Sequence, residues 1–584
     1  MGKDSKLIVK KIPDNEQGLK EFQESMQEDA AEKERELLLQ FPTVYIHNWK
    51  GGRDYDVYIG ESSNILQRTR QHYDRGQDTD SWQHQMLKNQ ASLYIIGHEH
   101  FNKSMTLDME NRFMLYMLSA DRVRKIHNLR GNPQNRYYPD EEMDGIFREV
   151  WRRLRKDNKE LFPSESAIRD SAVFKASPLH KLTKEQERIK ESIIQKVFDA
   201  LKSGSRDQLI FIEGEAGTGK TVLNSSTFYE FFAGAEEKEG RPLQCYMLVN
   251  HDEQITVYRQ IAQKLGITDR YGDVVCKPTT FINHHTKENP VDIAFVDEAH
   301  LLLTQGKQSY QGENQLKDII ERARVTVIMF DENQILTTEQ YWEAQILEEY
   351  RERSRQQGNY FELKEQLRIQ GSREVMEWIN DFTKKQKVSK IPADSGGYDI
   401  RIFKDPAELE KALREKAAEE EHKLSRMIAT YDWAYSTKSA PADRLSKYWE
   451  VMIGEWHKPW NRELEKELDR KTKKANKPLS WAEQPQTIGE VGSTFTIQGF
   501  DLNYAGVILG PSVKYRDGEI LFDPSASWNK KAVQNRTLSD GSRQKFGDLL
   551  IQHEVRVLMT RGVEGLYIYA CDEELRKALL QAAK

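Results

Sequence analysis

A glycine-rich segment that ends in a lysine and a threonine could bind phosphate groups. Its residues are Gly214, Glu215, Ala216, Gly217, Thr218, Gly219, Lys220 and Thr221. The glycines let the backbone approach phosphate oxygens, and the amides of a following helix point a positive dipole at them. We expect Lys220 to reach the outer phosphates and Thr221 to help hold Mg2+. The segment therefore predicts a nucleotide site with Mg2+ as a cofactor.

An acidic pair farther along the chain could complete this chemistry. Asp297 and Glu298 directly follow the apolar run 293–296. A strand there would deliver Asp297 to Mg2+, and Glu298 would orient or deprotonate the attacking water. Together with the glycine-rich segment, the pair predicts nucleotide hydrolysis.

Short apolar runs, separated by helical patterns, must position these side chains. Runs of this length and composition are typical of buried parallel strands in an α/β fold. They are 209–212, 244–249, 293–296, 325–330, 426–430, 506–509 and 566–569. The first four surround the glycine-rich segment and the acidic pair, and the last three predict a second set of the same kind.

Five further segments resemble helicase motifs and supply polar side chains in the order of those motifs. They are Gln186 in the glutamine motif, Gln334 in motif III, Arg368 in motif IV, Gln498 and Gly499 in motif V of superfamily 1, and Arg561 in motif VI. The resemblance implies that Gln186 reads adenine, that Gln334 is a sensor, and that Arg368 contacts phosphate. It also implies that Arg561 completes the site from a second domain, where it could stabilise transition-state charge when the cleft closes.

Residues 170–584 resemble the DUF2075 family, the Schlafen group 3-like DNA/RNA helicase domain. The segments 174–178 and 429–433 add to this likeness. The resemblance implies two RecA-like P-loop domains with parallel sheets, and ATPase activity. Unwinding of a duplex does not follow from it, because motors of this kind also translocate or act as sensors.

The first part of the chain carries a second group of chemically competent side chains. Tyr45 and Tyr58 lie on two predicted strands, which Gly51 and Gly52 join as a hairpin. Arg68 and His72 are four residues apart on the following helical segment, so they share one helix face. That face can meet the two tyrosines, and phosphodiester cleavage needs such a base and cation beside a metal.

Residues 43–140 resemble the GIY-YIG nuclease superfamily, although the first motif reads Thr43-Val44-Tyr45 instead of Gly-Ile-Tyr. In that family the tyrosines and a helical arginine or histidine serve catalysis. A glutamate on a later helix binds a divalent metal, and we assign it to Glu110. An asparagine closes the site; we choose Asn128, and Asn132 competes with it.

Composition places limits on the whole chain. It has 584 residues, 38% hydrophobic and 31% charged, with a net charge of -6 and three cysteines that are far apart. These values predict several domains, no membrane association and a cytoplasmic location. The expected divisions are a charged helical or flexible arm at 1–40, the nuclease-like domain at 41–140, a helical linker at 141–180, RecA-like domain 1 at 181–355, and RecA-like domain 2 at 356–584 with a charged insertion at 435–485.

The leading hypothesis is an ATP-dependent motor, a helicase or translocase on DNA or RNA, coupled to a metal-dependent endonuclease. Such a pairing suits prokaryotic defence against foreign nucleic acid, or repair. The alternative is an ATPase switch that senses nucleic acid and regulates the nuclease-like domain or a partner without unwinding. A binding module with a degenerate nuclease site is a third reading, and the retained tyrosines, Arg68 and Glu110 count against it. A homo-oligomer or an accessory protein also stays open as a partner.

Overall fold

The computed structural model describes residues 7–28, 32–128, 140–306, 310–367, 369, 371, 373–393, 397–441, 447–477 and 479–584. The chain divides into two compact units. The N-terminal unit contains Met1–Leu182, Phe232–Ala235 and Val257–Val274, and the second unit contains Thr183–Phe231, Glu236–Thr256 and Val275–Lys584. Within the described residues, no helix combines the length and the apolar character that a bilayer span requires.

The first part of the chain, up to residue 182, contains five strands and eight helices within the described ranges. They are β1 (Leu7–Pro13), α1 (Glu16–Glu28), α2 (Glu32–Leu39), β2 (Thr43–Gly51), β3 (Asp54–Ser62), α3 (Ile65–Arg75), α4 (Trp82–Lys88), β4 (Ser92–His98), α5 (Lys103–Ser119), β5 (Val123–Ile126), α6 (Met143–Asp157), α7 (Glu165–Asp170) and α8 (Ala172–Lys175). The strands form one sheet in the order β1-β4-β2-β3-β5. All pairings are antiparallel except that of β3 with β5.

The predicted hairpin is confirmed. Strands β2 and β3 pair from Thr43 with Ser62 to Gly51 with Asp54. Gly52 has φ +83, which a residue with a Cβ rarely adopts, so glycine suits the turn. The register places Tyr45 opposite Gly60, where a Cβ would lie 2.4 Å from the tyrosine hydroxyl.

A charged helical or flexible arm was expected before residue 41. The described residues there include the helices α1 and α2, but they are part of this sheet and its core. β1 pairs with β4 along its whole length. Leu19, Phe22 and Met26 of α1 are buried in one hydrophobic cluster with Tyr45. Their helical spacing gives α1 an apolar face despite its charged composition, and that face requires a partner.

The next part of the chain builds the first half of the second unit. Its elements, some of whose residues group with the N-terminal unit, are α9 (Lys184–Ser203), β6 (Gln208–Gly214), α10 (Lys220–Glu239), β7 (Cys245–Val249), α11 (Asp252–Lys264), α12 (Ile267–Tyr271), β8 (Val275–Cys276), α13 (Pro278–His284), β9 (Val291–Asp297), α14 (Gln315–Ile320), β10 (Ala323–Phe330), α15 (Ala344–Gln356) and β11 (Tyr360–Leu363). The sheet has the order β11-β6-β10-β9-β7-β8 and is parallel throughout. Because β11 pairs with β6, this half extends to Leu363, past the boundary expected at 355.

The remaining elements build the second half of the second unit. They are α16 (Arg373–Thr383), β12 (Asp399–Ile402), α17 (Pro406–Ala418), β13 (Arg426–Ala429), β14 (Glu450–Ile453), β15 (Trp456–Pro459), α18 (Arg470–Asn476), β16 (Val491–Gly492), α19 (Thr494–Ile497), β17 (Leu502–Leu509), β18 (Val513–Arg516), β19 (Glu519–Phe522), α20 (Lys530–Val533), β20 (Arg536–Thr537), β21 (Arg543–Gln544), α21 (Gly547–Met559), β22 (Gly562–Ala570) and α22 (Glu573–Ala582). A second parallel sheet runs in the order β12-β22-β17-β13-β16. The α/β class with parallel sheets of the RecA type and a small N-terminal α/β domain is thereby confirmed.

The insertion expected at 435–485 contains the β14–β15 hairpin and α18. Two of its tryptophans, Trp460 and Trp481, are completely buried, and the Trp481 indole donates to Glu490 at 2.6 Å. Trp460 lies in one hydrophobic cluster with residues of α17, β13 and β17, so the insertion packs onto the core of the second half.

Candidate nucleotide site and candidate cleavage site

The glycine-rich segment lies between the end of β6 and the start of α10, as a phosphate-binding loop requires. Gly217 and Gly219 have positive φ values of 89 and 76. A Cβ at Gly219 would lie 2.3 Å from Gln186 Nε2, and one at Gly214 would lie 2.6 Å from Thr218 Oγ1. Glycine is therefore required by conformation and by space, and the loop can keep its concave shape.

Lys220 is buried and points back across this loop. Its Nζ donates to the carbonyl oxygens of Gly214 and Glu215 at 2.7 and 2.9 Å, and lies 3.5 Å from Asp331 Oδ2. Burial alone would raise the pKa of Asp331, but Lys220, His300 and the Gln334 amide lower it to about 2. Lys220 thus lies among oxygen acceptors at the place where a phosphate would bind.

The acidic pair is at the carboxyl end of β9, as predicted. Asp297 is the last residue of that strand, and Glu298 adopts φ 48 directly after it. The Glu298 carboxylate lies 3.3 Å from His300 Nε2 and accepts from Gln254 Nε2 at 3.5 Å. Burial opposes its ionisation, yet His300, Lys220 and Arg561 hold its pKa below the usual value. Glu298 is therefore a charged acceptor, which suits a group that orients water.

Gln334 joins the two halves of the second unit. Its side-chain NH2 donates to Asp331 Oδ2 at 2.8 Å, and its Oε1 accepts from Arg561 Nη2 at 2.9 Å. Gln498 Nε2 donates to the backbone carbonyl of Gln334 at 3.1 Å. Arg561, between α21 and β22, is fully buried and also donates to Val557 O at 3.0 Å. Lys220, Asp331, Gln334 and Arg561 therefore form one continuous polar chain from the loop to the second half.

A second bridge between the halves starts from Glu215 in the loop itself. Its carboxylate accepts from Arg556 Nη2 and Lys384 Nζ, each at 2.7 Å. Arg556 lies on α21 and also donates to Asn380 Oδ1 at 2.5 Å. Two cations of the second half are thus held at the rim of the phosphate loop.

Gln186 is buried against the same loop. Its Oε1 accepts from the Thr183 backbone N–H at 3.0 Å, and its Nε2 donates to Thr218 O and Gly219 O at 3.3 and 3.4 Å. Thr183 in turn accepts from the Gln186 backbone, which forms a capping box at the start of α9. In this arrangement, Gln186 fixes the loop to α9.

The site suits a triphosphate with a divalent cation. The loop is concave, Lys220 supplies a positive charge, and Thr221 and Asp297 offer the oxygen donors that Mg2+ prefers. Lys220 and Thr221 follow one another at the start of α10, and Asp297 is the last residue of β9.

The candidate cleavage residues of the N-terminal unit lie together. The Tyr45 hydroxyl is 3.1 Å from His72 Nε2 and accepts from Arg68 Nε at 3.3 Å. The ring of Tyr58 stacks on Trp82 at 4.3 Å and meets His72 edge-on at 5.0 Å. Burial, together with Tyr58, raises the pKa of Tyr45, while burial, together with His47 and Arg68, lowers that of His72 to about 3. His72 is therefore a neutral imidazole beside the hydroxyl.

Glu110 and Asn128 also meet, next to β3. Asn128 Nδ2 donates to Glu110 Oε1 at 3.1 Å and to the Ile59 carbonyl, and its Oδ1 accepts from the Ile59 N–H at 3.3 Å. Glu110 is buried on α5. The asparagine chosen from the sequence thus contacts the glutamate chosen as a metal ligand. Its competitor Asn132 lies outside the described residues, as does Arg368.

Several polar residues of these sites had not been selected from the sequence. Asp331 directly follows an apolar run, as Asp297 does, so the same sequence pattern could have predicted it as a site residue. His47 shares a strand face with Tyr45, two residues away. Asp14 and Arg556 carry no such signal, because their roles depend on partners that are distant in the sequence.

These features define a class of protein. A phosphate loop after β6, an acidic pair after β9 and an arginine brought from a second parallel sheet make the second unit a P-loop NTPase with two RecA-type halves. Residues 207–572 match the model of the family described as Schlafen group 3, DNA/RNA helicase domain. This match covers more than half of the chain, and the protein belongs to that family.

Individual proteins are similar to the chain over most of its length. An uncharacterized protein of Saccharomyces cerevisiae is 32% identical over 441 residues, which is 69% of this chain and 91% of that protein. Among solved structures, an arterivirus nonstructural protein 10 (helicase) in complex with DNA is 14% identical over 66% of this chain and 65% of its own, with a TM-score of 0.26. A structure described as two coordinating Pif1 helicases on forked dsDNA is 13% identical over 68% and 94%, with a TM-score of 0.24. Because these TM-scores are low, the family assignment depends on the sequence matches.

Proposed function

We propose that the second unit is an ATP-driven motor on DNA or RNA, and that the N-terminal unit is a metal-dependent endonuclease of the GIY-YIG type. The observation that carries the motor proposal is the polar chain from Lys220 through Asp331 and Gln334 to Arg561. It makes the nucleotide site depend on both halves at once. Hydrolysis at such a site changes the contact between the halves, which is what movement along a strand requires.

Each side chain of the nucleotide site has a distinct task in this proposal. Lys220 and the loop amides bind the phosphates, and Thr221 and Asp297 hold Mg2+, which neutralises the charge that develops on phosphate oxygens. Glu298 holds the attacking water and accepts its proton. Arg561 places its guanidinium beside the phosphate charge only when the halves are together.

An aromatic surface in the second half supports a single strand as the substrate. Tyr431 follows β13, and Phe495 lies in α19, which follows β16. Both therefore lie at the carboxyl edge of the sheet, where ligands of open α/β sheets bind. The two rings meet edge-on at 5.4 Å, and Lys531 lies 6.0 Å from the Phe495 ring. Trp528, whose N–H donates to Tyr431 O, is 53% exposed. Exposed rings beside a lysine suit base stacking and phosphate contact.

The N-terminal cluster supports phosphodiester cleavage. Tyr45 and His72 supply a hydroxyl and a neutral acceptor, and Arg68 supplies a fixed cation. Glu110, held by the Asn128 amide, supplies carboxylate oxygens for a metal. A divalent cation at Glu110 would polarise the phosphate and stabilise the leaving oxygen. Joined to a motor, this unit would act on the strand that the motor holds, in defence against foreign nucleic acid or in repair.

The motor proposal predicts that ATP hydrolysis depends on Lys220 and Glu298. We expect Lys220→Ala and Glu298→Gln to lose about 100-fold or more of the ATPase rate, because one removes the phosphate cation and the other the water-orienting carboxylate. Phosphate release with and without single-stranded DNA and RNA measures this. The control is Glu332→Gln, an exposed carboxylate next to Asp331. Rates like those of the wild type in either site variant would refute the assignment.

The endonuclease proposal predicts cleavage of labelled DNA or RNA that requires Mg2+. We expect Arg68→Ala and Glu110→Ala to abolish it, because they remove the cation at the phosphate and the metal ligand. Arg70→Ala is the matched control, since Arg70 is an exposed arginine two residues away on α3. Absence of cleavage by the wild-type protein under all metal conditions, or undiminished cleavage by both site variants, contradicts the proposal.

The alternative function is a nucleic-acid sensor that regulates the N-terminal unit without moving. The contacts of Glu215 with Arg556 and Lys384 favour the sensor, because they join the phosphate loop to the second half and would change when the halves open or close. Strand-displacement and translocation assays separate the two functions. Nucleic-acid-stimulated ATPase without movement supports the sensor, and directional movement supports the motor.

A further inference from the structure

A completely buried carboxylate–histidine pair lies next to the candidate cleavage cluster. Asp14, in the turn between β1 and α1, has its Oδ2 2.6 Å from Nδ1 of His47 on β2, and both side chains have no exposed surface. Asp14 belongs to the segment before 41, which the sequence predicted to be a charged helical or flexible arm. A carboxylate in such a place must be held by strong partners, because burial of an unpaired charge is costly.

The surroundings of Asp14 fix its orientation. Its Oδ1 accepts from the Tyr73 hydroxyl at 2.9 Å, and its backbone N–H donates to Ala91 O at 3.1 Å. With Oδ2 accepting from His47, the Nδ1–H tautomer of His47 is selected, and its Nε2 keeps a lone pair. Asp14 therefore sets which nitrogen of His47 is able to accept a proton.

The hydrogen bonds at Tyr45 determine which nitrogen of His72 carries a hydrogen. Arg68 can only donate, so its contact at 3.3 Å makes the Tyr45 oxygen an acceptor and directs the hydroxyl hydrogen to His72 Nε2 at 3.1 Å. His72 then carries its own hydrogen on Nδ1. Its ring lies edge-on to that of His47, with the centroids 5.2 Å apart.

Two buried nitrogens remain between these rings. His72 Nδ1 and His47 Nε2 are both buried, and neither has a hydrogen-bond partner among the described residues. One must donate and the other must accept, so they are complementary. With the ring centroids 5.2 Å apart, a connection between the rings requires a contact between these nitrogens that forms when substrate is bound, as contacts of catalytic groups often do.

We propose that Asp14 and His47 are positioning residues that connect the buried carboxylate to Tyr45 through His72. The proposal rests on the endonuclease function of the N-terminal unit. In the transfer, the Tyr45 hydroxyl proton moves to His72 Nε2, the His72 Nδ1 proton to His47 Nε2, and the His47 Nδ1 proton to Asp14 Oδ2. Three bonds to hydrogen break and three form, and the negative charge passes from the carboxylate to the Tyr45 oxygen.

The connection to Asp14 explains how the buried Tyr45 hydroxyl can lose its proton. Burial raises the pKa of Tyr45, so its hydroxyl does not release a proton unaided. His72 alone is a weak acceptor, since burial and the nearby His47 and Arg68 lower its pKa to about 3. A carboxylate at the far end can take up the proton that His72 does not hold well, and Tyr45 is then able to accept the proton of the attacking water.

The test compares two changes at the same buried carboxylate. Asp14→Asn keeps the shape and an accepting oxygen but removes the negative charge, whereas Tyr73→Phe removes only the other hydrogen bond to Asp14. We expect Asp14→Asn to slow Mg2+-dependent cleavage by the full chain by about 100-fold or more, and Tyr73→Phe to stay within a few-fold of the wild type. Cleavage like that of the wild type in Asp14→Asn, or equal losses in both variants that follow their thermal midpoints, would overturn the proposal.

A spectroscopic measurement keeps the test independent of cleavage. In protein labelled with 15N-histidine, the ring signals of His47 and His72 are identified by their loss in His47→Gln and His72→Gln. We expect His72 to be the neutral Nδ1–H tautomer, and Asp14→Asn to shift the ring signals of His72 as well as those of His47. Unchanged His72 signals in Asp14→Asn would overturn the connection. If the wild-type protein cleaves no nucleic acid, the endonuclease proposal fails, and these signals alone decide whether the four side chains are connected.

Discussion

Gln334 is the side chain through which the two halves of the second unit meet at the nucleotide site. It donates to Asp331, which faces Lys220, and accepts from Arg561. A primary amide suits this position, because it can donate to a carboxylate and accept from a guanidinium at the same time. A carboxylate in its place would face Asp331 with like charge, and a lysine would face Arg561 with like charge.

Burial of Glu554 on α21 makes the free energy of unfolding of the second half depend on pH. Its Oε1 accepts from the Tyr431 N–H at 3.0 Å and from the Thr494 hydroxyl at 3.4 Å. Burial, with Asp432 nearby, raises the pKa of this carboxyl from 4.5 to about 8. The folded protein therefore keeps a proton that the unfolded chain releases in this interval, and stability falls as the pH rises through it.

We expect Glu554→Gln to remove this pH dependence, because glutamine keeps the accepting oxygen and does not ionise. The thermal midpoint of the variant minus that of the wild type should increase by several degrees from about pH 5 to about pH 8. Scanning calorimetry at both pH values measures the difference.

Glu415→Gln serves as the control for this change, since Glu415 is exposed on α17. Its thermal midpoint should follow that of the wild type at both pH values. An offset for Glu554→Gln that is the same at both pH values would show that Glu554 is ionised in the folded protein throughout.

At the scale of elements, the strands that carry the nucleotide site could be predicted, and the interactions between distant elements could not. Strands β6, β9 and β10 are buried on both faces and contain apolar runs. The run of β6 leads into the glycine-rich segment, and those of β9 and β10 are followed by Asp297 and Asp331. The helix α1 is amphipathic with charges on its outer face. Its charged composition, taken alone, led to the prediction of an arm at 1–40. Asp14 and Arg556 have no periodic signal, because their burial follows from partners that only the fold brings close.

The helix α1 provides a prediction at this scale. Phe22 is buried in the cluster that contains Tyr45, so we expect Phe22→Ala to destabilise the N-terminal unit by about 3–5 kcal/mol. Lys20→Ala, at an exposed position of the same helix, should change stability by about 0.5 kcal/mol or less. Urea unfolding of the full chain, followed by tryptophan fluorescence, measures both. Equal stability of the two variants would mean that the segment before 41 is a separate arm.

At the scale of the whole molecule, the family match covers most of the second unit, and the N-terminal unit lies mostly outside it. Residues 207–572 belong to the Schlafen group 3 DNA/RNA helicase domain family, whereas the tyrosine cluster begins at Tyr45. The motor and the endonuclease proposals are therefore independent, and one can fail while the other holds. The nucleotide site is the part on which the identity of the protein as a motor depends.

The most direct test of the central claim is the effect of Arg561→Ala on ATP hydrolysis stimulated by single-stranded nucleic acid. We predict that wild-type protein hydrolyses ATP faster when DNA or RNA is added, and that Arg561→Ala loses about 1,000-fold of this rate while it still binds a fluorescent ATP analogue. Arg401→Ala, an exposed arginine on β12, should behave like the wild type. Stimulated hydrolysis at the wild-type rate by folded Arg561→Ala would contradict a nucleotide site shared by the two halves.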